Sequence, residues 1–300
     1  MVLIEQKLAL FFAIGAGVGA VSIPALAVPP TSRECFEISE RTLVRYHSDH
    51  EGCPREVIIP ATVREIGTRA FANSDLISVV IPRSVRTIGE AAFYHNQLTT
   101  VTIPDSVTQI GSNAFAHNQL TSVVIPNSLT QIEPFLFHGN QLASVTIPDS
   151  VTEIGWNAFH DNRLQSVDIP DSVTRIGVGA FEQNQLHSVI IPDSVTEIGW
   201  QAFARNQLTS VVISQSVTRL GTGVFERNQL TSVTIPQSVT EIRWRAFARN
   251  QLTEINLSGS LVEIEADAFT HNELREVTVP GPSTRIDRRA FDWGVKTVRP

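Results

Sequence analysis

Cysteine is nearly absent from this chain. Cys35 and Cys53 are the only two in 300 residues, too few for a zinc site without histidine partners. His47 and His50 lie between them, but two imidazoles alone do not complete such a set. Charge is sparse too. Only 18% of residues are charged and the net charge is −7, which argues against nonspecific nucleic-acid binding, a function that needs a basic surface. Motifs of catalysis are also missing. There is no nucleophile elbow, phosphate loop or metalloprotease helix, so neither enzyme activity nor a cofactor is expected. Hydrophobic residues still make up 42%, enough for a folded chain.

The first 27 residues differ in kind. "MVLIEQKLALFFAIGAGVGAVSIPALA" has a short polar start, an apolar run from Leu8 to Val21 and a closing Ala25-Leu26-Ala27. This is the pattern of a secretory signal peptide, and the run is short for a membrane span. The mature chain is therefore expected outside the cytoplasm, secreted or at the cell surface, without a span of its own. In an oxidising compartment Cys35 and Cys53 are expected to pair. A loop of that size is worth about 3 kcal/mol in the chain-entropy picture. Residues 28–56 then form a disulfide-closed cap, and 57–300 form the remaining domain.

That remainder is periodic. Phe71, Phe93, Phe115, Phe137, Phe159, Phe181, Phe203, Phe225, Phe247, Phe269 and Phe291 recur every 22 residues. A fixed period of this length marks a solenoid, in which each coil touches only its neighbours. One coil, Leu98 to Gln119, shows the physics. Val101 and Ile103 point to one side of a short strand, and Thr100 and Thr102 to the other. Pro104, without an N–H, ends the strand. Ala114 and Phe115 lie in a stretch long enough for one helical or 3₁₀ turn. The column Asn96, Asn118, Asn140 and onward to Asn272 is expected to make the turn before each strand, since Asn tolerates left-handed backbone. Gly67, Gly89, Gly111, Gly155, Gly177, Gly199 and Gly221 share a column with Glu133, Arg243, Glu265 and Asp287, so positive dihedrals are not required there.

The consensus L-x-x-V-x-I-P-x-S-V-T-x-I-G-x-x-A-F-x-x-N-Q resembles the BspA-type leucine-rich repeat of bacterial surface and secreted proteins, over about residues 57–291. "ECFEISERTLVRYHSDHEGCPREVIIPATV" is similar to the cysteine-containing cap that precedes such arrays. The resemblance implies a curved solenoid with a parallel β-sheet on the concave face and short helical, 3₁₀ or irregular turns on the convex face. It also implies an adhesion or binding role. After Phe291, "DWGVKTVRP" fits the repeat only with a one-residue deletion.

Departures from the repeat point to candidate surfaces. Glu153, Arg175, Glu197, Arg219 and Glu241 alternate in one column, which suits register between stacked coils. On the concave face variation peaks at Gln165, Asp168, His187 and Ile190, with Val212 beside them, and this patch is the first candidate for a partner. On the other flank Arg205, Arg227 and Arg249 form a row with Arg243 and Arg245 nearby, a candidate site for phosphate or a sulfated sugar. Trp156, Trp200 and Trp244, two coils apart, are expected to cover the convex side, with a glycan-binding ridge as the alternative. The stacked columns of His95, His117 and His271 and of His138 and His160 could hold a transition metal, but no carboxylate column completes them. The expected partner is an extracellular protein or a surface glycan. End-to-end self-association into a structural component is the rival reading, and ice binding by the Ser/Thr rows a remote one.

Overall fold

Stretches such as Ser188-Val189-Ile190 alternate short or branched residues, and β-branched side chains favour the extended backbone. In the computed structural model, which describes residues 31–281 and 283–299, Val189 is buried while Ser188 and Ile190 face solvent. The segment 1–27 read as a signal peptide lies outside the described residues. The cap opens with a 3₁₀ turn at Arg33–Cys35, the only helix among the described residues, followed by antiparallel strands β1 (Phe36–Ser39) and β2 (Thr42–Tyr46). Cys35 and Cys53 form the expected disulfide. Thereafter every coil stacks in parallel on the last. The convex-side stretch around Ala114 and Phe115 is turn rather than helix.

Two sets of strands line the solenoid. Three-residue strands pair in parallel, for example Ser188–Ile190 with Ser210–Val212 and Ser232–Thr234 with Glu254–Asn256. These make a row of pairs rather than one unbroken sheet: residues 100–102 and 166–168 follow the same path without joining a ladder. There the coils remain tied by neighbouring bonds such as Thr121 N–H to Thr99 O, at 3.2 Å. A second ladder uses two-residue strands, Gln131–Ile132, Glu153–Ile154, Arg175–Ile176 and Glu197–Ile198 in one run. Here the alternating charges meet as the spacing implies. Arg175 pairs with Glu197 at 3.3 Å and Arg219 with Glu241 at 2.6 Å. Both pairs are exposed, so their worth is about 0–1 kcal/mol and their effect is on register.

The phenylalanines form a continuous internal spine. From Phe71 to Phe269 each ring is fully buried, and neighbouring rings stack with centroids 5.1–5.9 Å apart. The spine reaches into the cap, where Tyr46 packs tilted against Phe71 at 5.2 Å between centroids and Phe36 against Tyr46 at 5.6 Å. The Tyr46 hydroxyl donates to Pro54 O, and burial pushes its pKa up to about 12.

The asparagine column does something other than turn the chain. From Asn96 to Asn250 each asparagine is only 7–8% exposed, and its side chain bonds across the coil boundary. Asn184 Oδ1 accepts from Leu164 N–H at 3.0 Å, while its Nδ2 donates to the carbonyls of Phe159 and Phe181 at 2.8 and 3.2 Å. Asn162 and Asn206 repeat the pattern one coil to either side, so each Phe carbonyl is shared by two asparagines. Left-handed backbone falls instead at two other columns, the residue before each Asn and the one two before each Phe. His117, Asp161, Gln183, Arg205, Arg227 and Arg249 occupy the first, Asn113, Phe135, Asn157 and Gln201 the second, all with φ of 51–60°. A left-handed residue with a Cβ costs about 1–2 kcal/mol, so the ladder imposes this conformation against local preference.

The glycine column serves close approach rather than positive φ. A Cβ on Gly177 would meet Trp156 N at 2.7 Å, and one on Gly199 would meet Val178 N at 2.3 Å. A second clamp comes from the Pro-x-Ser turn, where Ser150 Oγ donates to Leu129 O and Ser172 Oγ to Val151 O, both at 2.7 Å. At the far end Lys296–Val298 pairs with Glu276–Thr278 in the register Glu276↔Lys296. That step of 20 residues shows two residues lost from the final repeat, not the one inferred from sequence.

Candidate functional site

The strand face brings the first predicted patch together. Ile190 and Val212 are direct register partners, 67% and 56% exposed, on a surface whose adjacent column is Ser188 and Ser210. Branched apolar side chains held out in solvent are costly to leave there, and a patch of them rimmed by polar groups is the form an interaction site takes. Asp168, exposed, occupies the same column one coil earlier. Gln165 and His187 form a parallel column at the start of these strands, with His187 N–H donating to Gln165 O at 3.2 Å and Thr209 N–H to His187 O at 2.9 Å. Asp168, Ile190 and Val212 therefore share one column, Gln165 and His187 lie exposed where their strands begin, and the five span three successive coils.

The opposite flank gathers four of the five predicted arginines. Arg205, Arg227 and Arg249 sit at left-handed turn positions on consecutive coils, each N–H bonded to the next coil's carbonyl. Arg205 meets Glu182 at 3.3 Å. Arg227, Arg245 and Arg249 all approach one oxygen of Glu226, at 3.8–3.9 Å. Arg245 also meets Asp267 at 4.0 Å, so four guanidiniums are set against the carboxylates of Glu182, Glu226 and Asp267 and the flank keeps one positive charge over. Arg243 does not belong with them. It lies in the glycine column, bridging Glu241 and Glu265 beside the second ladder, where Glu241 and Glu263 are register partners that Arg219 and Arg285 also offset. Its bond to Glu265 raises its own pKa, and the Arg219 hydrogen bond holds the Glu241 carboxyl below the usual range.

The tryptophans do not cover an apolar face: Trp156, Trp200 and Trp244 are 56%, 62% and 41% exposed. Arg245 lies over the Trp244 ring at 4.3 Å from its centroid, and Trp244 Nε1 donates to Asp267 Oδ2 at 3.2 Å. Beyond Arg249 a cleft of about 680 Å³ opens at the last coil, bordered by Arg245, Arg249, Arg288, Arg289 and Trp293 together with Asp267 and Asp287.

The two histidine columns interleave. His117 packs edge-on against His138 at 4.7 Å between centroids, and His138 packs tilted against His160 at 4.9 Å. His138 Nδ1 lies 3.1 Å from His160 Nδ1 and 3.2 Å from His160 O. An N–H on His138 Nδ1 satisfies both, which leaves His160 Nδ1 as the acceptor. Burial, then the neighbouring His138, lowers the pKa of His160, and burial, then His138 and His95, lowers that of His117. The unfolded imidazole titrates near 6.5, so on acidification the unfolded chain takes up protons first. Stability is expected to be full above about pH 7 and to fall as pH drops through 6.5, levelling off below the folded values. Burial also raises the Glu182 carboxyl, which opposes this loss, but in the more acidic window down to its unfolded value. Urea midpoints measured from pH 7.5 to 5 check the sign, and His160→Gln is expected to flatten the slope.

The in-register stacking, the buried asparagine ladder and the phenylalanine spine define a parallel β-solenoid of the leucine-rich-repeat class. The model of the BspA type leucine rich repeat region matches in six copies, over residues 51–163, 108–230 and 174–296, and the chain belongs to that family. Comparison with curated proteins finds no match. Among solved structures, the chain is similar to a leucine-rich repeat protein from Bacteroides ovatus, with 24% identity, a TM-score of 0.55 and coverage of 86% of this chain and 87% of that one. It is similar also to the pneumococcal vaccine antigen PcpA, at 17% identity and a TM-score of 0.60, over 86% of this chain and 77% of that one. A leucine-rich cell surface protein from Faecalibacterium prausnitzii is 27% identical over 85% of both chains, with a TM-score of 0.44.

Proposed function

We propose that this chain is an extracytoplasmic binding protein that holds a protein partner on its strand face, around Ile190 and Val212. The observation that carries this reading is the exposed apolar pair set on a face of short hydroxyl side chains, with Asp168, Gln165 and His187 as its polar rim. Burying such a pair under a partner gains roughly 25 cal/mol for each Å² removed from water. The face performs binding rather than turnover, because it repeats short side chains instead of concentrating different reactive ones. The formed disulfide and the family membership support a place outside the cytoplasm. No helix among the described residues is long and apolar enough to cross a membrane.

A second reading is favoured by the three guanidiniums that share Glu226: the flank of Arg205, Arg227, Arg245 and Arg249 suits a sulfated or phosphorylated glycan. One panel separates the two. The mature chain is immobilised against extracellular-matrix proteins and sulfated and neutral glycans, beside the variants Ile190→Glu/Val212→Glu and Arg227→Ala/Arg249→Ala. All four positions are exposed, so the fold is expected to survive, as circular dichroism will show. Binding of a protein ligand that drops at least tenfold in the strand-face variant supports the first reading. Salt-sensitive glycan binding lost only in the arginine variant replaces it with the second.

A further inference from the structure

We propose that the N-terminal cap binds a divalent transition-metal ion through His47, Asp49 and His50. One ligand atom of each residue lies within 4.8 Å of the other two. A tetrahedral ion with bonds of about 2.0–2.1 Å needs its ligand atoms about 3.3 Å apart, so closure asks only for side-chain rotation. Two imidazoles and a carboxylate are the donor set that borderline ions such as Zn²⁺, Co²⁺, Ni²⁺ and Cu²⁺ prefer, and one that suits Ca²⁺ or Mg²⁺ poorly. Three protein ligands leave at least one coordination position open.

The backbone that presents them is held from several sides. His50 N–H donates to His47 O at 3.1 Å, which curls the segment into a turn and puts the three side chains on one side. His47 N–H donates to Cys35 O at 2.9 Å and Cys53 N–H to His50 O at 3.1 Å, so the disulfide partners grip the turn at both ends. Just before the turn Tyr46 is anchored in the spine, and its hydroxyl reaches Pro54 O on the far side of the loop. A clamped turn loses little freedom on binding, and this separates the cluster from three exposed residues that happen to be close.

The rings themselves must move. They stack face to face with centroids 4.6 Å apart and planes 12° apart. Each nitrogen lone pair lies in the plane of its own ring, so two stacked imidazoles cannot aim at a shared ion until one swings out. His50 is exposed and His47 half-buried, so the swing meets solvent rather than packing. The stack describes the metal-free cap; metal binding opens it. Affinity is thereby linked to the disulfide, because loss of the cross-link frees the turn.

The test uses the mature, tag-free chain and chloride salts of Zn²⁺ and Co²⁺, followed by calorimetry and, for Co²⁺, by visible absorption. One equivalent is expected, with nitrogen-bearing Co²⁺ bands. His50→Gln and Asp49→Asn are each expected to weaken binding at least tenfold with the thermal midpoint of the metal-free chain unchanged, and Cys35→Ser/Cys53→Ser, which removes the cross-link without freeing thiolate ligands, to weaken it likewise. His160→Gln is the control for the half-buried histidine pair, 22 residues from His138, and is expected to leave the affinity alone. No saturable binding, binding that survives His50→Gln, or binding lost in His160→Gln overturns the proposal.

Discussion

Asn184→Ala is expected to lower the unfolding free energy by about 2–4 kcal/mol, a large effect for a substitution far from any surface candidate. The loss begins with Leu164 N–H, which has Asn184 Oδ1 as its partner and sits where solvent does not reach. An orphaned buried donor costs about 1–3 kcal/mol. The carbonyls of Phe159 and Phe181 each lose one of two amide donors but keep the other, from Asn162 and Asn206. The partial retention sets the upper bound. Because the bonds cross a coil boundary, the substitution weakens the coupling between neighbours as well as the total. In a nearest-neighbour array this broadens the urea transition, since the two halves begin to melt separately. Asn184→Asp gives a sharper signature. The carboxylate still accepts from Leu164 N–H but turns a bare negative oxygen toward two carbonyls. Stability is expected to fall further at pH 7 and to recover in part in acid, where the protonated group donates again. A shift below about 1 kcal/mol for Asn184→Ala, measured by urea unfolding, would remove the ladder from the cohesion of the fold.

How much of this was readable in the sequence depends on whether a column's chemistry has one meaning or two. The 22-residue beat of Phe is unambiguous, because nothing but a stack of coils places identical rings at a fixed interval. The Glu/Arg alternation was readable for the same reason: parallel register sets each column opposite itself. Asparagine has two meanings. A left-handed turn and a buried inter-coil amide produce the same column, and only coordinates show that φ turns positive one residue earlier, at positions held by His, Gln, Asp and Arg with no common preference. Arg243 was misplaced because nearness in sequence to Arg245 hides that the two lie in different columns, one in the ladder and one on the flank. The tyrosine that carries the spine into the cap escaped notice because the cap does not keep the 22-residue step: Tyr46 precedes Phe71 by 25. The surface patch at Ile190 and Val212 could be located from its departure from Ser and Thr, yet no column encodes what touches it.

Phe181→Ala is expected to cost more than any other single change, about 3–5 kcal/mol. Its ring is fully buried and is stacked on Phe159 at 5.4 Å and on Phe203 at 5.5 Å, so removal opens a cavity between two faces that have no other cover. Collapse cannot heal the gap. The backbone on either side is pinned, since Phe181 N–H donates to Ala202 O at 2.9 Å and Phe159 N–H to Ala180 O at 2.9 Å. The same pinning predicts the contrast with Phe181→Leu, which fills most of the volume, loses the ring-on-ring contact and is expected to cost about 1–1.5 kcal/mol. Position along the array matters as well. Phe291, at the last coil, is only half-buried and stacks on one side, so Phe291→Ala is expected to cost less than half as much as the central substitution. Denaturant unfolding of the three variants side by side checks the ordering. Equal losses at Phe181 and Phe291 would mean that each coil is stabilised within itself, and that stacking, the feature on which both the strand face and the arginine flank depend for their shape, contributes little.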